Sequence, residues 1–460
     1  MPYREIAARV NFARGLMTVC APVFALFVAI QPASAQDASD EQERLHAQML
    51  REPTNYEVTF AYVKVATNRG DYEAAIAALE RLLYYNPNLA HVKYELGTLY
   101  MKLRSFDMAK RYFKEALATR GLDPVTKSRI EDYLPDTERQ TQQSRFSGFA
   151  QTGVRYQSNA NFAPSNGLVN VGGQELGLPT TNTKRSDSNW FGMVGLSHDY
   201  DLNDTAGSTF ETRFTGYLTQ QFVLTDLNVG LIDGSFGWRI PIRNDVFPGA
   251  SVKPYVTGGN IWVGGSQYLA SGGAGVVFTL PVNPKLSFEP GFEWRHVGIT
   301  VDAPVATQGV AASQLNEFSS GNWFTGGMSM KYSIVETVRL DARGYYRRGE
   351  GQADFQNFDQ WVGEAALSFM VPPPFTWMPR YWILSPFARY TETDFDAANP
   401  FLDPNTKRSD KTWTAGVIFD TPITKVFGLK TTFQYDKTTS TLPNFRLDNY
   451  QVMTGPTARF

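Results

Sequence analysis

Residues Val338–Arg348 read VRLDARGYYRR, and their character alternates one residue at a time. Arg339, Asp341, Arg343, Tyr345 and Arg347 point to one side; Val338, Leu340, Ala342, Gly344 and Tyr346 point to the other. A period of two marks a β-strand whose faces meet unlike surroundings. The pattern recurs from about Arg145 to the last residue, Phe460. Phe210, Phe214 and Leu218 alternate with Glu211, Arg213, Thr215 and Thr219; Phe288, Phe292 and Trp294 with Glu289, Glu293 and Arg295; Leu429, Phe433 and Tyr435 with Lys430, Thr432, Gln434 and Asp436. A soluble sandwich of this length needs polar residues outside and one apolar core. A transmembrane barrel needs the reverse, an apolar lipid-facing wall around a wet lumen. A Lys or Arg facing lipid at mid-depth costs about 2–4 kcal/mol. Arg213, Arg343 and Arg347 are therefore expected in the lumen, and the pattern predicts an antiparallel outer-membrane β-barrel over residues 145–460.

Composition agrees. With 460 residues and a net charge of −2, the chain has no basic field suited to nucleic acid. After residue 36 no apolar run is long enough for a spanning helix, so any span must be β. Arg4, Arg9 and Arg14, the apolar stretch Leu16 to Ile30, and Ala33-Ser34-Ala35 have the layout of a signal peptide over residues 1–35. The mature chain would begin at Gln36, in the periplasm. The single cysteine, Cys20, would leave with the leader, removing disulfides and thiol chemistry.

Residues 36–140 have a helical period instead. Sliding the segment by about 34 residues superposes Tyr72 on Phe106, Ala75 on Ala109 and Leu79 on Phe113. Leu96-Gly97 with Tyr100, the turn Gly70-Asp71-Tyr72, and Pro87 after Asn86 complete a pattern that resembles tetratricopeptide (TPR) repeats. Two repeats fall short of the three a stable stack usually needs, so residues 38–50 and 124–140, or else the barrel itself, are expected to cap it. The resemblance implies a concave, partner-binding face on the first helix of each pair, placing Lys64, Asn68, His91, Tyr94 and Lys102 there. The plainer reading is that these are solvated polar positions.

The barrel portion divides into about fourteen strands, an even number as bacterial barrels require. Short breaks (Asn203–Gly207, Arg243–Gly249, Pro281–Lys285, Val335–Thr337, Val371–Arg380, Thr421–Val426) alternate with long ones, including Gln157–Ser186, Val301–Phe318 and Phe395–Arg408. With both chain ends periplasmic, the long breaks all fall outside the cell. Trp190, Trp262, Trp294, Trp323, Trp377, Trp382 and Trp413 sit near strand ends, as girdle residues do. Tyr450, Val452, Thr454, Pro456, Ala458 and Phe460 form an outer-face strand ending on an aromatic, which resembles the signal read by the barrel-insertion machinery. The lumen candidates are Arg155, Arg213, Glu289, Glu293, Arg295, Arg339, Asp341, Arg343, Arg347, Lys430 and Asp436; both signs occur, and neighbours on adjacent strands could simply neutralise one another. No catalytic or nucleotide motif appears. His198 and His296 fall on the lipid-facing phase, and Gly272-Gly273-Ala274-Gly275 reads as close wall packing. Neither an enzyme activity nor a cofactor or metal is expected.

At the end of the first strand, Tyr156-Gln157-Ser158-Asn159-Ala160-Asn161 and then Ala163-Pro164 stand where the Slam-type family has a Gly-Tyr-Asp-Ser-Asn-Val-Asn-like stretch. Arg155, Gln157 and Ala160 depart from it. The chain resembles that family, the surface lipoprotein assembly modulators of the type XI secretion system, in overall build as well. The resemblance implies export of a partner protein, lipidated or soluble, assisted by the periplasmic repeats. Exopolysaccharide exporters also join TPR repeats to a barrel, usually with more repeats and a strongly charged lumen. A barrel that only displays its loops, or a general porin, is a third reading.

Overall fold

A computed structural model describes residues 34–243, 246–300, 320–375, 377–378 and 380–460. Residues 1–33 of the expected leader and the Val301–Phe318 break lie outside these residues. The chain forms two compact units, which divide at Arg145 and Phe146.

The first unit holds helices α1 (Ser34–Arg51), α2 (Tyr56–Arg69), α3 (Tyr72–Tyr85), α4 (Ala90–Lys102), α5 (Phe106–Ala118) and α6 (Pro124–Gln140). Local chemistry sets their ends. The Asn55 side chain accepts from the Glu57 and Val58 amides at 3.0 and 3.3 Å, and Asp71 accepts from Ala74 at 3.2 Å, so α2 and α3 start with capped donors. Gly70, at φ 80°, closes α2 in the left-handed region that glycine adopts without strain. The α2–α3 and α4–α5 pairs bury Ala66, Ala75, Leu79 and Leu96 in one cluster. Phe113 and Ala116 of α5 form a second cluster with Ile130 of α6, so α6 closes the stack as expected. Gly97 explains the Leu-Gly-x-x-Tyr pattern: a Cβ there would overlap the Phe113 ring. Glu80 ties the repeats together, accepting from the Tyr100 and Tyr112 hydroxyls at 2.8 and 3.0 Å. Burial, reinforced by this carboxylate, pushes the Tyr100 hydroxyl up to about 12.

The second unit is a closed antiparallel barrel of fourteen strands: β1 (Ser144–Gln157), β4 (Asp187–Asp201), β5 (Thr209–Gln221), β6 (Val229–Pro241), β7 (Ser251–Val263), β8 (Ser266–Asn283), β9 (Leu286–Ile299), β10 (Gly321–Val335), β11 (Val338–Glu350), β12 (Phe358–Val371), β13 (Trp382–Ala398), β14 (Lys407–Pro422), β15 (Phe427–Ser440) and β16 (Leu447–Arg459). A small hairpin, β2 (Leu168–Val171) and β3 (Gln174–Gly177), lies within the first loop. Each strand pairs with its sequence neighbour, and β1 pairs with β16. Alternation is conserved across the register, because directly opposed residues share a face. Phe433 and Trp413 are 52% and 60% exposed on the outer wall, while Glu211, among the lumen groups, is 7% exposed.

One connection departs from the expected short–long alternation. Gly264 and Gly265, at φ 59° and 86°, turn β7 into β8 in two residues at the long-loop end. Both positive angles belong to a tight hairpin turn that glycine alone makes cheaply. The expected glycine packing holds at Gly273, where a Cβ would meet the Trp294 carbonyl, and at Gly275, but not at Gly272, where a Cβ would meet open space.

At the long-loop end the outer wall carries aromatic pairs, Tyr346–Trp361 and Tyr390–Trp413 tilted at 4.7 Å and Tyr435–Tyr450 stacked at 4.5 Å. Beyond them the outward phase becomes charged, with Arg348–Asp396 at 2.5 Å, Lys411–Glu392 at 3.1 Å and Lys184–Asp448 at 2.6 Å. Strands β11–β16 thus continue past the aromatic belt, where an outward charge no longer meets hydrocarbon. Trp323 corrects the girdle expectation. It is opposed by Arg295 on β9 and Gly349 on β11, so it faces the lumen, with the Arg347 guanidinium 5.0 Å from its ring centre.

Candidate functional site

The register places all eleven lumen candidates on the inward phase, and it supplies partners for most of them. Arg213 pairs with Asp199 at 2.5 Å and Glu211 at 3.5 Å. Glu211 also takes Arg239, and Lys253 at 3.0 Å. Arg295 bridges Asp233 at 2.8 Å and Glu293 at 3.2 Å, and Tyr255 donates to Glu293 at 3.0 Å. Glu289 pairs with Lys331 at 2.9 Å and Arg339 with Asp341 at 2.8 Å. Glu364 receives both Arg343 at 3.2 Å and Arg389 at 2.9 Å. Mutual neutralisation therefore accounts for most lumen charge.

Four candidates stand apart from these ion pairs among the described residues. Asp436 is satisfied by neutral donors: Gln434, Gln451 and Thr414, at 2.7–2.9 Å. Arg155 bonds to Tyr217. Arg347 donates to Thr325 at 3.1 Å and lies over the Trp323 and Tyr345 rings at 5.0 and 5.4 Å. Lys430 is opposed to Asp420, whose carboxylate is taken by Arg459. The surplus in this lumen is cationic. It was not legible from charge counts, because partners such as Asp233 and Arg295 lie on strands that are not neighbours in sequence.

The join between the first and last strands is interrupted, as are the β6–β7, β8–β9 and β12–β13 joins beside Pro254, Pro290 and Pro386. Pairing of β1 with β16 lapses at Thr152 and Gly153, opposite Gly455 and Pro456. By contrast, β14 pairs with β15 without interruption from Asp410 to Pro422. Pro456 has no amide proton to give to a ladder. Gly153 and Gly455 let the two backbones approach so closely that a Cβ on either would overlap the facing main chain.

The first loop fastens one end of this join. Asn159 is buried; its carboxamide exchanges hydrogen bonds with the Ala163 backbone at 2.8 and 3.0 Å, and its own amide donates to Asn449 of β16 at 2.9 Å. Asn161 accepts from the Arg185 amide and donates to the Thr183 carbonyl, both at 2.9 Å, clasping the two ends of the loop. Farther along, Ser165 donates to Arg446 at 2.7 Å, Asn170 accepts through Nδ2 of Asn444 and donates to Asn444 through its own amide, and Gly172 and Gly173 donate to Phe401 and Leu402. The loop reaches from β1 across β16 to the connections after β13 and β15. The Asn-Ala-Asn stretch thus has a local structural purpose.

On the helical unit, Lys64, Asn68, His91 and Lys102 are exposed, whereas Tyr94 is 8% exposed and packs in the Phe113 cluster. Lys102 lies 5.6 Å over the Tyr72 ring, and His91 is 3.5 Å from Asp123. Sequence reasoning passed over Glu95 and Thr98, which share the α4 face with His91 and Lys102 by helical spacing. Burial raises the Glu95 carboxyl above its ordinary range, against the pull of Thr98, Lys102 and His91.

The tetratricopeptide repeat family model matches residues 60–89 and 90–120. No curated protein matches the chain. Among solved structures, it is similar to a bacterial polysaccharide outer membrane secretin, at 10% identity over 68% of this chain and 98% of that one, TM-score 0.32. It is similar to an anion-selective porin from Comamonas acidovorans at 9% identity over 69% and 99%, TM-score 0.32. It is also similar to PcrH, solved with the chaperone-binding region of PopD, at 16% identity over 28% and 96%, TM-score 0.21. The chain spans 29% of the P58(IPK) TPR domain it matches at 21% identity, with a TM-score of 0.20 over 23% of its own length. Repeats followed by a closed fourteen-stranded barrel define the class, a TPR-bearing barrel of the outer-membrane type.

Proposed function

We propose that the protein is an outer-membrane translocator that carries a partner protein, a surface lipoprotein or a secreted protein, from periplasm to cell surface, as the Slam-type resemblance implies. In this reading Gln36 starts the mature chain, both chain ends are periplasmic, and the repeats over residues 36–140 hold the cargo through an extended surface. Lys64, Asn68, His91 and Lys102 supply that surface. Tyr450 and Phe460 belong to the insertion signal, and no nucleotide is consumed. The observation that carries the reading is the join of the first and last strands, which alone among the interrupted joins loses its pairing at two facing glycines, Gly153 and Gly455.

The test locks that join. The mature sequence has no cysteine to interfere, and Ala150 is directly opposed to Ala458. Opposed residues lie about 4.5–5.5 Å apart at Cα, within disulfide range. Oxidising the Ala150→Cys, Ala458→Cys double variant should abolish appearance of the cargo outside, reversibly with reductant. The same pair of changes at Ala388 and Ala415, opposed across β13 and β14, should leave export intact. The cargo is first identified by deleting the gene and comparing surface and secreted proteins, with exopolysaccharide assayed in parallel.

Polysaccharide export is the second reading, favoured by Trp323, Tyr345 and Arg347, which present aromatic faces and a cation to the lumen. Polysaccharide trapped in the periplasm of the deletion strain, with surface and secreted proteins unchanged, would replace the first reading with this one.

A further inference from the structure

An open cavity of about 520 Å³ lies at the end of the barrel where β1 begins and β16 ends, and none of the fourteen residues lining it is acidic. Five successive strands, β5, β4, β1, β16 and β15, supply its wall. Arg213 and Ser197 are opposed on β5 and β4, Gln151 and Thr457 on β1 and β16, and Lys430 comes from β15. Arg459 completes the cationic lining.

Two of these side chains are buried polar groups without partners. Gln151 is 3% exposed and Thr457 is 5% exposed, and among the described residues neither the Gln151 Nε2 nor the Thr457 Oγ1 makes a hydrogen bond. Burying a donor this way is costly unless something accepts from it. Beside them, the Lys430 ammonium has no ion pair among the described residues, and it brings three more donors. Arg213 and Arg459 are engaged by Asp199, Glu211 and Asp420, while Lys430 is opposed to Asp420 without a hydrogen bond to it among the described residues. Asp420 does not line the cavity. An amide donor, a hydroxyl and an ammonium on three neighbouring strands, in a lining that holds no acid, match a group with several acceptor oxygens and negative charge.

We infer that Gln151, Lys430 and Thr457 form a lumenal oxyanion-binding site, sized for a carboxylate or phosphate group, with Arg213 and Arg459 as its flanking field. The inference does not depend on which cargo the barrel exports. The same chemistry serves a free inorganic anion or an acidic group borne on a polymer.

The test uses the full chain in detergent, with folding checked by its heat-modifiable mobility in gels. Inorganic phosphate is titrated calorimetrically at constant ionic strength, with chloride as the balancing salt. Saturable binding of one phosphate is expected, weakened at least tenfold by Lys430→Gln and several-fold by Gln151→Leu. Lys331→Gln, a lumen lysine paired with Glu289, should leave it unchanged. Oligogalacturonate binding much more tightly than galacturonate would assign the site to a polymer; equal affinities would assign it to free anions. Absence of saturable phosphate binding, or equal weakening by Lys331→Gln and Lys430→Gln, would overturn the site.

Discussion

The helical unit and the barrel use the same residue types in opposite places. Leu79, Leu96 and Phe113 are fully buried in the repeats, while Phe433, Trp413 and Leu429 lie on the open outer wall of the barrel. Lys64 and Asn68 face outward from the helices, whereas Arg295 and Glu293 face the barrel interior. The hydrophobic effect sorts side chains by the solvent they meet, and here one chain answers to two solvents. Helix and strand propensities alone would not separate the two arrangements; the charge pattern does.

An arginine placed at matching apolar positions sharpens this contrast. Leu79→Arg buries a charge with no partner and should unfold the repeats, a loss of about 4 kcal/mol or more. Loss of the helical circular-dichroism signal, with the barrel's gel mobility unchanged, checks it. Phe433→Arg faces lipid and should cost about 2–4 kcal/mol, lowering the urea midpoint of the barrel in lipid bilayers. If Phe433→Arg cost nothing, the assignment of the outer wall to lipid would fail. Smaller still is Gly97→Ala, which pushes the Phe113 ring aside and should cost the helices about 1–3 kcal/mol by overpacking.

The smallest expected effect is a matter of pH. Glu95 has a folded pKa raised above its unfolded value, chiefly by burial, so its contribution is most favourable below the unfolded value. That contribution is lost as pH rises through the folded pKa. Glu95→Gln should therefore raise the helical melting temperature at pH 7 and lose its advantage in acid. A variant less stable than the parent at pH 7 would mean that the pull of Lys102 and His91 outweighs burial.

Much of this molecule could be read from residue order. Period-two alternation located the strands, and the thirty-four-residue spacing located the repeats, because both depend on local geometry. What escaped needed three dimensions. Trp323 sits near a strand end, which suggested a girdle, yet its phase matches Arg295 and Arg347 and it turns inward. Tyr94 has a polar tip and a helical position suited to a surface, but Phe113 and Ile130 close over it. The cationic surplus became visible only when partners from distant strands were subtracted. Gln151 and Thr457 offered no sequence signal; only burial without a hydrogen-bond partner picks them out.

The Asn159 clasp gives the wall a direction. Because the first loop ties the far end of β1 to β16 and the connection before it, the two strands are fastened more heavily at that end than below the glycine–proline lapse, where only a short ladder from Gly148 to Gln151 holds them. Such a fastening behaves as a hinge: separation begins where the ladder is shortest and stops at the stitches, so the opening would be a wedge of limited width. Asn159→Ala would then loosen the hinge, because the first loop would lose the carboxamide that folds it back on Ala163.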